Sequence, residues 1–237
     1  VTNWGTAHDI AVDQVIDDND ALASNTGTPW EYLFLQMWAA GVRAVPVLST
    51  RASATEQAAL VAVSKANKKN RWLLRHRSDP HGDVPAPAHA ANWFANALTV
   101  TGAKHGTVDA VLDLGYITGD PKLLVPLVTQ TLAAVAALGS WRNLVPLSGA
   151  FPVNLASVQK GTKQIQRSDW ELFKRVSARA EMKEAPLAFG DYGVTNVDAF
   201  DDDPRKMVMS ANLRYTYWQE WHVLKGKNVR DYGYGQY

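Results

Sequence analysis

Residues 185–193 read APLAFGDYG, and residues 211–226 read ANLRYTYWQEWHVLKG. Each opens on an apolar run and ends in polar groups and glycine, as strands do when they deliver side chains to a site. Upstream, the same unit recurs: 44–48 (AVPVL), 72–76 (WLLRH), 108–112 (VDAVL) and 143–147 (NLVPL). A shorter piece, 12–16, runs into Asp17 and Asp18. Helical stretches lie between these runs. Thr28-Pro-Trp-Glu31, Ser53-Ala-Thr-Glu56 and Ser168-Asp-Trp-Glu171 carry the spacing of capping boxes, and Asp120-Pro121 opens a further helix. Strand, loop and helix alternate every thirty to forty residues, which predicts parallel strands with helical crossovers. The strands are nearly continuous apolar runs, the composition of strands covered on both faces.

Seven strands between Val12 and Tyr217, with a trailing one near 221–225, predict a TIM-like (β/α)8 barrel. Its first strand would be missing at the N-terminus, with an extra strand at the C-terminus. The whole of 1–237 then forms one barrel-like domain. A doubly wound open sheet is the alternative. It is disfavoured because no glycine-rich phosphate fingerprint follows any strand.

Composition narrows the function classes. A formal net charge of +1 gives no bulk field for nucleic acid or an anionic membrane. Cysteine is absent, which removes disulfides, thiolate nucleophiles and cysteine-ligated zinc, and fits a reducing, cytoplasmic setting. No apolar run approaches the ~20 residues that span a bilayer. The chain shows no basic-then-apolar leader. The six histidines make no metal pattern, and no residue set names a cofactor.

One ordered set of pieces is distinctive. It comprises Asp109-Ala-Val-Leu-Asp113-Leu-Gly, the Ser148-Gly-Ala-Phe-Pro152 loop, Gln166-Arg167-Ser-Asp-Trp170-Glu171, Phe189-Gly-Asp-Tyr-Gly193, and Leu213-Arg-Tyr with Trp221 and Gly226. That order resembles the beta-protein family, named after a T-even bacteriophage protein and shared with bacterial relatives. The resemblance implies a barrel, a chain trimmed at both ends, and a phage or mobile-element context with defence or counter-defence roles. It implies no settled activity.

The residues that carry chemistry are expected at strand exits, where a barrel gathers its polar side chains. Asp113 and Asp191 form the expected acidic pair for acid/base work. Arg75, Arg167, Tyr192 and Asp17 are the expected contacts to a small anionic substrate such as a phosphate ester. Each has a plainer alternative. Asp191 suits a turn between two glycines, and Asp113 suits a buried bridge to Arg75. Arg167 suits a surface pair, and Asp17 suits a solvated acidic loop with Asp18 and Asp20. Tyr215, Tyr217, Trp218 and Trp221 read as strand residues packed under helices, with a sugar- or base-stacking platform as the alternative. If the acids and arginines share one open pocket, the chain reads as an enzyme. If they pair off under cover, it reads as a scaffold that binds a host or phage protein.

Overall fold

The structure is a computed structural model that describes residues 8–13, 29–77, 83–117, 119–156, 158–195 and 210–228. Six strands form a parallel sheet: β1 (Asp9–Val12), β2 (Arg43–Ser49), β3 (Trp72–Arg77), β4 (Val108–Tyr116), β5 (Asn143–Gly149) and β7 (Gly190–Asp191). They lie side by side in chain order, so each crossover returns to the adjacent position, as in a barrel. Five helices connect or follow them: α1 (Pro29–Ala39), α2 (Ala54–Ala66), α3 (Pro87–Thr101), α4 (Val125–Ala136) and α5 (Ser168–Ser177).

All five helices pack on one face. Leu48, Trp72, Leu74, Ala110 and Leu144 point there and meet Phe34, Leu60, Phe94 and Trp141. Further along β4, Leu112 and Leu114 meet Val128 and Leu132 of α4 and Leu172 and Val176 of α5. Strand alternation sends the other set to the helix-free face. On β3 that set is Leu73, Arg75 and Arg77, all half-buried, while Trp72, Leu74 and His76 are buried.

The closed barrel is not formed. The parallel sheet is an open half-barrel with β1 and β7 at its two edges. The run 211–217, expected as a parallel barrel strand, lies instead in β8 (Ser210–Tyr217), within a separate antiparallel sheet. There it pairs with β9 (Glu220–Asn228), which also pairs with β6 (Gly161–Gln166). The physical reason is visible in β8 itself. Its last five residues are exposed, whereas a barrel strand is covered on both faces. β7 is also too short to seat another parallel neighbour along its length, with only two residues. The turn between β8 and β9 is Trp218-Gln219, with Trp218 at φ +52°. Two-residue hairpins need such a left-handed residue and usually use asparagine or glycine. Tryptophan there hides the hairpin from a sequence reading, as the absence of turn signals hides β6.

At the other edge the expected strand 12–16 is displaced. The described strand is Asp9–Val12, and residues 14–16 lie outside the described residues. Of the three capping boxes, one is formed. The Ser53 hydroxyl accepts from the Glu56 amide at 3.3 Å, and the Glu56 carboxylate accepts from the Ser53 amide at 2.6 Å. Thr28 lies outside the described residues. Ser168 is the first helical residue rather than the cap, and Glu171 pairs instead with Arg175 one turn on, at 2.8 Å.

Candidate functional site

The helix-free face collects polar side chains at the carboxyl ends of its strands. Arg75 projects from β3, Asp113 from β4, Asp13 from the residue after β1, and Tyr192 from the residue after β7. Asp113 is wholly buried, and its carboxylate is the hub of the cluster. Its Oδ2 accepts from Arg75 Nε at 2.9 Å, from Arg75 Nη2 at 2.6 Å and from the Tyr192 hydroxyl at 2.6 Å. Its Oδ1 accepts from the Gly115 amide at 2.9 Å, which ties it to its own strand end. Arg75 Nη2 also donates to the Tyr192 oxygen at 2.8 Å, and Nη1 donates to Asp13. Arg77, two residues on and on the same face, brings Nε to 3.9 Å from Asp113.

Electrostatics follow from that packing. Burial alone would lower the Arg75 pKa, but Asp113, Tyr192 and Asp13 outweigh it and hold the guanidinium firmly charged. For Tyr192, burial and then the Asp113 carboxylate push the phenol well above its usual range, so it stays a neutral donor. Arg75 and Arg77 against Asp13 and Asp113 leave the cluster formally neutral. Part of it stays open: the Arg75 side chain is 19% exposed and that of Asp13 22%.

A second cluster forms around Arg167, just before α5. Its Nη2 donates to Asp169 Oδ2 at 2.7 Å and also to Asp191. The guanidinium sits 5.2 Å from the Phe189 ring centre and 5.3 Å from that of Trp221, so two aromatic faces bracket the cation. Asp191 Oδ1 accepts from the Gly193 amide at 3.2 Å, the turn-capping bond of the plainer reading. Asp169 is fully buried, and burial raises its pKa against the pull of Arg167.

The sequence-predicted residues therefore divide. Arg75, Asp113 and Tyr192 come together; Arg167 and Asp191 come together elsewhere. Asp191 and Tyr192 are adjacent, yet each reaches a different cluster, as neighbours on an extended segment do. Asp113 and Asp191 make no acid/base pair in this arrangement. Asp17 lies outside the described residues. Asp13 and Asp169 are the members that sequence reasoning missed. For Asp13 a signal existed: DIAVD at 9–13 and DAVLD at 109–113 place acids four apart, hence on the same face of a strand.

The aromatic group also divides. Trp221 is buried against Phe151, with ring centres 5.2 Å apart. Tyr215, Tyr217 and Trp218 are 53%, 56% and 79% exposed, so the reading that packed all four under helices fails for these three. They lie on β8 and its turn, where none of the described helices covers them. Among the described residues no group of three or more histidines and carboxylates could hold a metal ion. No described helix is long and apolar enough to cross a membrane.

Comparison with curated proteins and with solved structures finds no match. The sequence pattern of the Beta protein family matches residues 1–237, and the chain belongs to that family.

Proposed function

We propose that the chain binds a small anionic ligand of the phosphate-ester class at the carboxyl ends of β1, β3 and β4. The observation that carries this is the convergence of Arg75, Asp13, Asp113 and Tyr192 from separate strands onto the helix-free face. Open parallel sheets take their ligands at that end. Arg75 and Arg77 would receive the anion, and Tyr192 would orient it. Asp113 acts by holding both Arg75 and Tyr192 in place. Arg167 and Asp191 serve as positioning residues, because they fix the segment that carries Tyr192. Binding rather than hydrolysis is the reading, since the two carboxylates occupy different clusters. The setting we propose is cytoplasmic and phage- or mobile-element-borne.

Calorimetric titration with a panel of phosphate monoesters tests it. Arg77→Gln should weaken the best binder about tenfold with an unchanged melting temperature. Equal affinity in that variant, or no binder in the panel, removes the reading. Release of phosphate from the bound ester would instead restore a hydrolytic role.

A second reading has its own observation. The exposed Tyr215, Tyr217 and Trp218 form a surface of the kind that docks another protein. The chain would then be a non-enzymatic scaffold that meets a host or phage protein through β8. Tyr217→Ser with Trp218→Ser should abolish such a complex and leave ester binding intact.

A further inference from the structure

We propose a second binding site, for a phosphate or pyrophosphate group, at the opposite end of the sheet. A cavity of about 340 Å³ opens there between the entries to β2 and β3, within the size range of small-molecule pockets. Arg43, Lys68, Lys69 and Arg71 line it, with Asp9 and Trp38. Among the described residues, four cations thus line it with one carboxylate. Asp9 is already engaged: Arg43 reaches it at 2.8 Å, Arg71 at 2.5 Å and Arg142, from β5's entry, at 3.3 Å. Counted over the described residues, the cluster at the other end of the strands is neutral and this one carries more cations than carboxylates.

The lysines are placed by backbone geometry rather than scattered. α2 ends in a Schellman turn: the Lys69 amide donates to the Ser64 carbonyl at 2.8 Å, and the Lys68 amide to the Lys65 carbonyl at 3.1 Å. The residue after the cap in that motif is normally glycine, because it is left-handed. Here it is Lys68, at φ +53°. A lysine held in that conformation is strained, and strain of this kind marks positions kept for their side chain. The helix dipole does not require it there, since Lys65 already supplies a cation in the last turn. Lys69 is set in turn by Trp38. Its ammonium stands 5.2 Å from the Trp38 ring centre, and the indole N–H is anchored to the Ala44 carbonyl at 3.0 Å. Two lysines and two arginines around one small cavity suit a compact multivalent anion, which phosphate and pyrophosphate are and a monocarboxylate is not.

The test is calorimetric titration of the chain with inorganic pyrophosphate at low salt. The Lys68→Gln, Lys69→Gln double variant should lose at least tenfold in affinity and melt within a degree or two of the wild type. Lys65→Gln, at the same helix end but outside the cavity, should bind as the wild type does. Lys68→Gly separates function from folding: it relieves the left-handed strain, so it should raise the melting temperature while weakening binding. Several outcomes would overturn the proposal: no binding by the wild type, full affinity in the double variant or in Lys68→Gly, or an equal loss in Lys65→Gln. Loss in Arg77→Gln with none in the double variant would assign pyrophosphate to the other end of the strands and overturn it as well.

Discussion

Arg75, on a strand of the parallel sheet, and Arg167, ahead of α5, solve the problem of a buried guanidinium differently. Arg75 is surrounded by oxygen: two carboxylates and a phenol satisfy it, and one edge still meets solvent. Arg167 is surrounded largely by aromatic carbon, with two carboxylates at one nitrogen and its Nε without a hydrogen-bond partner among the described residues. The first arrangement is a polar surface that a ligand can reach. The second is a joint: it ties α5, β7 and the β8–β9 hairpin through Asp169, Asp191 and Trp221. The same residue type thus has one binding geometry on β3 and one structural geometry ahead of α5.

Asp113 gives the largest expected effect. Its side chain is wholly buried and accepts from Arg75, the Tyr192 hydroxyl and the Gly115 amide, so Asp113→Ala leaves a charged arginine without its main partner. Unfolding free energy should fall by about 3–5 kcal/mol, as for other broken buried pairs, measured by chemical denaturation. A loss under ~1 kcal/mol would show that water reaches Arg75 freely, and the contrast with Arg167 would collapse.

Much of this was legible beforehand, and the failures share a cause. The four central parallel strands β2 to β5 and the helices between them follow from apolar runs such as AVPVL and VDAVL with intervening caps, whereas the edge strands expected at 12–16 and 187–190 are described at Asp9–Val12 and Gly190–Asp191. Closure does not follow from such runs, because it depends on what Gly190 and Asp191 permit. A Cβ on Gly190 would come within 2.7 Å of Val145, so β7 must pass close against β5 there. Such a close approach is invisible in a run that reads LAFG. Likewise Arg75 with Asp113 was readable as a pair. Assigning Asp191 to the same mouth assumed that strand ends converge in a closed ring, which an open sheet does not enforce.

The two clusters should also separate by pH. Burial raises the Asp169 carboxyl, so the folded chain holds that proton more tightly than the unfolded one. Its contribution to stability therefore falls as pH rises from the ordinary carboxylate value through the raised one. Asp169→Asn should flatten that acid-side slope. Tyr192 is also raised, by burial and Asp113, so its contribution is intact below its ordinary value of about 10 and is lost as pH climbs beyond it. Tyr192→Phe should remove the alkaline slope and cost about 1–1.5 kcal/mol at neutral pH, since one hydrogen bond to Asp113 is deleted. Denaturation midpoints measured across both ranges would show whether each slope belongs to its own cluster. If Asp169→Asn changed the alkaline limb, the clusters would be coupled rather than separate.

The smallest expected effect belongs to Asp191, and it sharpens the comparison most. Asp113 and Asp191 each accept from an arginine and from a backbone amide two residues ahead. They differ in cover: Asp113 is fully enclosed, whereas the Asp191 side chain is 27% exposed. Arg167 also keeps Asp169 when Asp191 is neutralised, so no buried cation is stranded. Asp191→Asn preserves the shape and the acceptor for the Gly193 amide. Its cost should therefore stay below ~1 kcal/mol, the scale of a partly solvated pair, with only a small shift in melting temperature. Affinity for a phosphate ester at Arg75 and Arg77 should be unchanged or fall only slightly, through Tyr192's position. An affinity loss of a hundredfold with unaltered stability would place Asp191 in direct contact with the ligand, and the division between a binding cluster and a joint would have to be withdrawn.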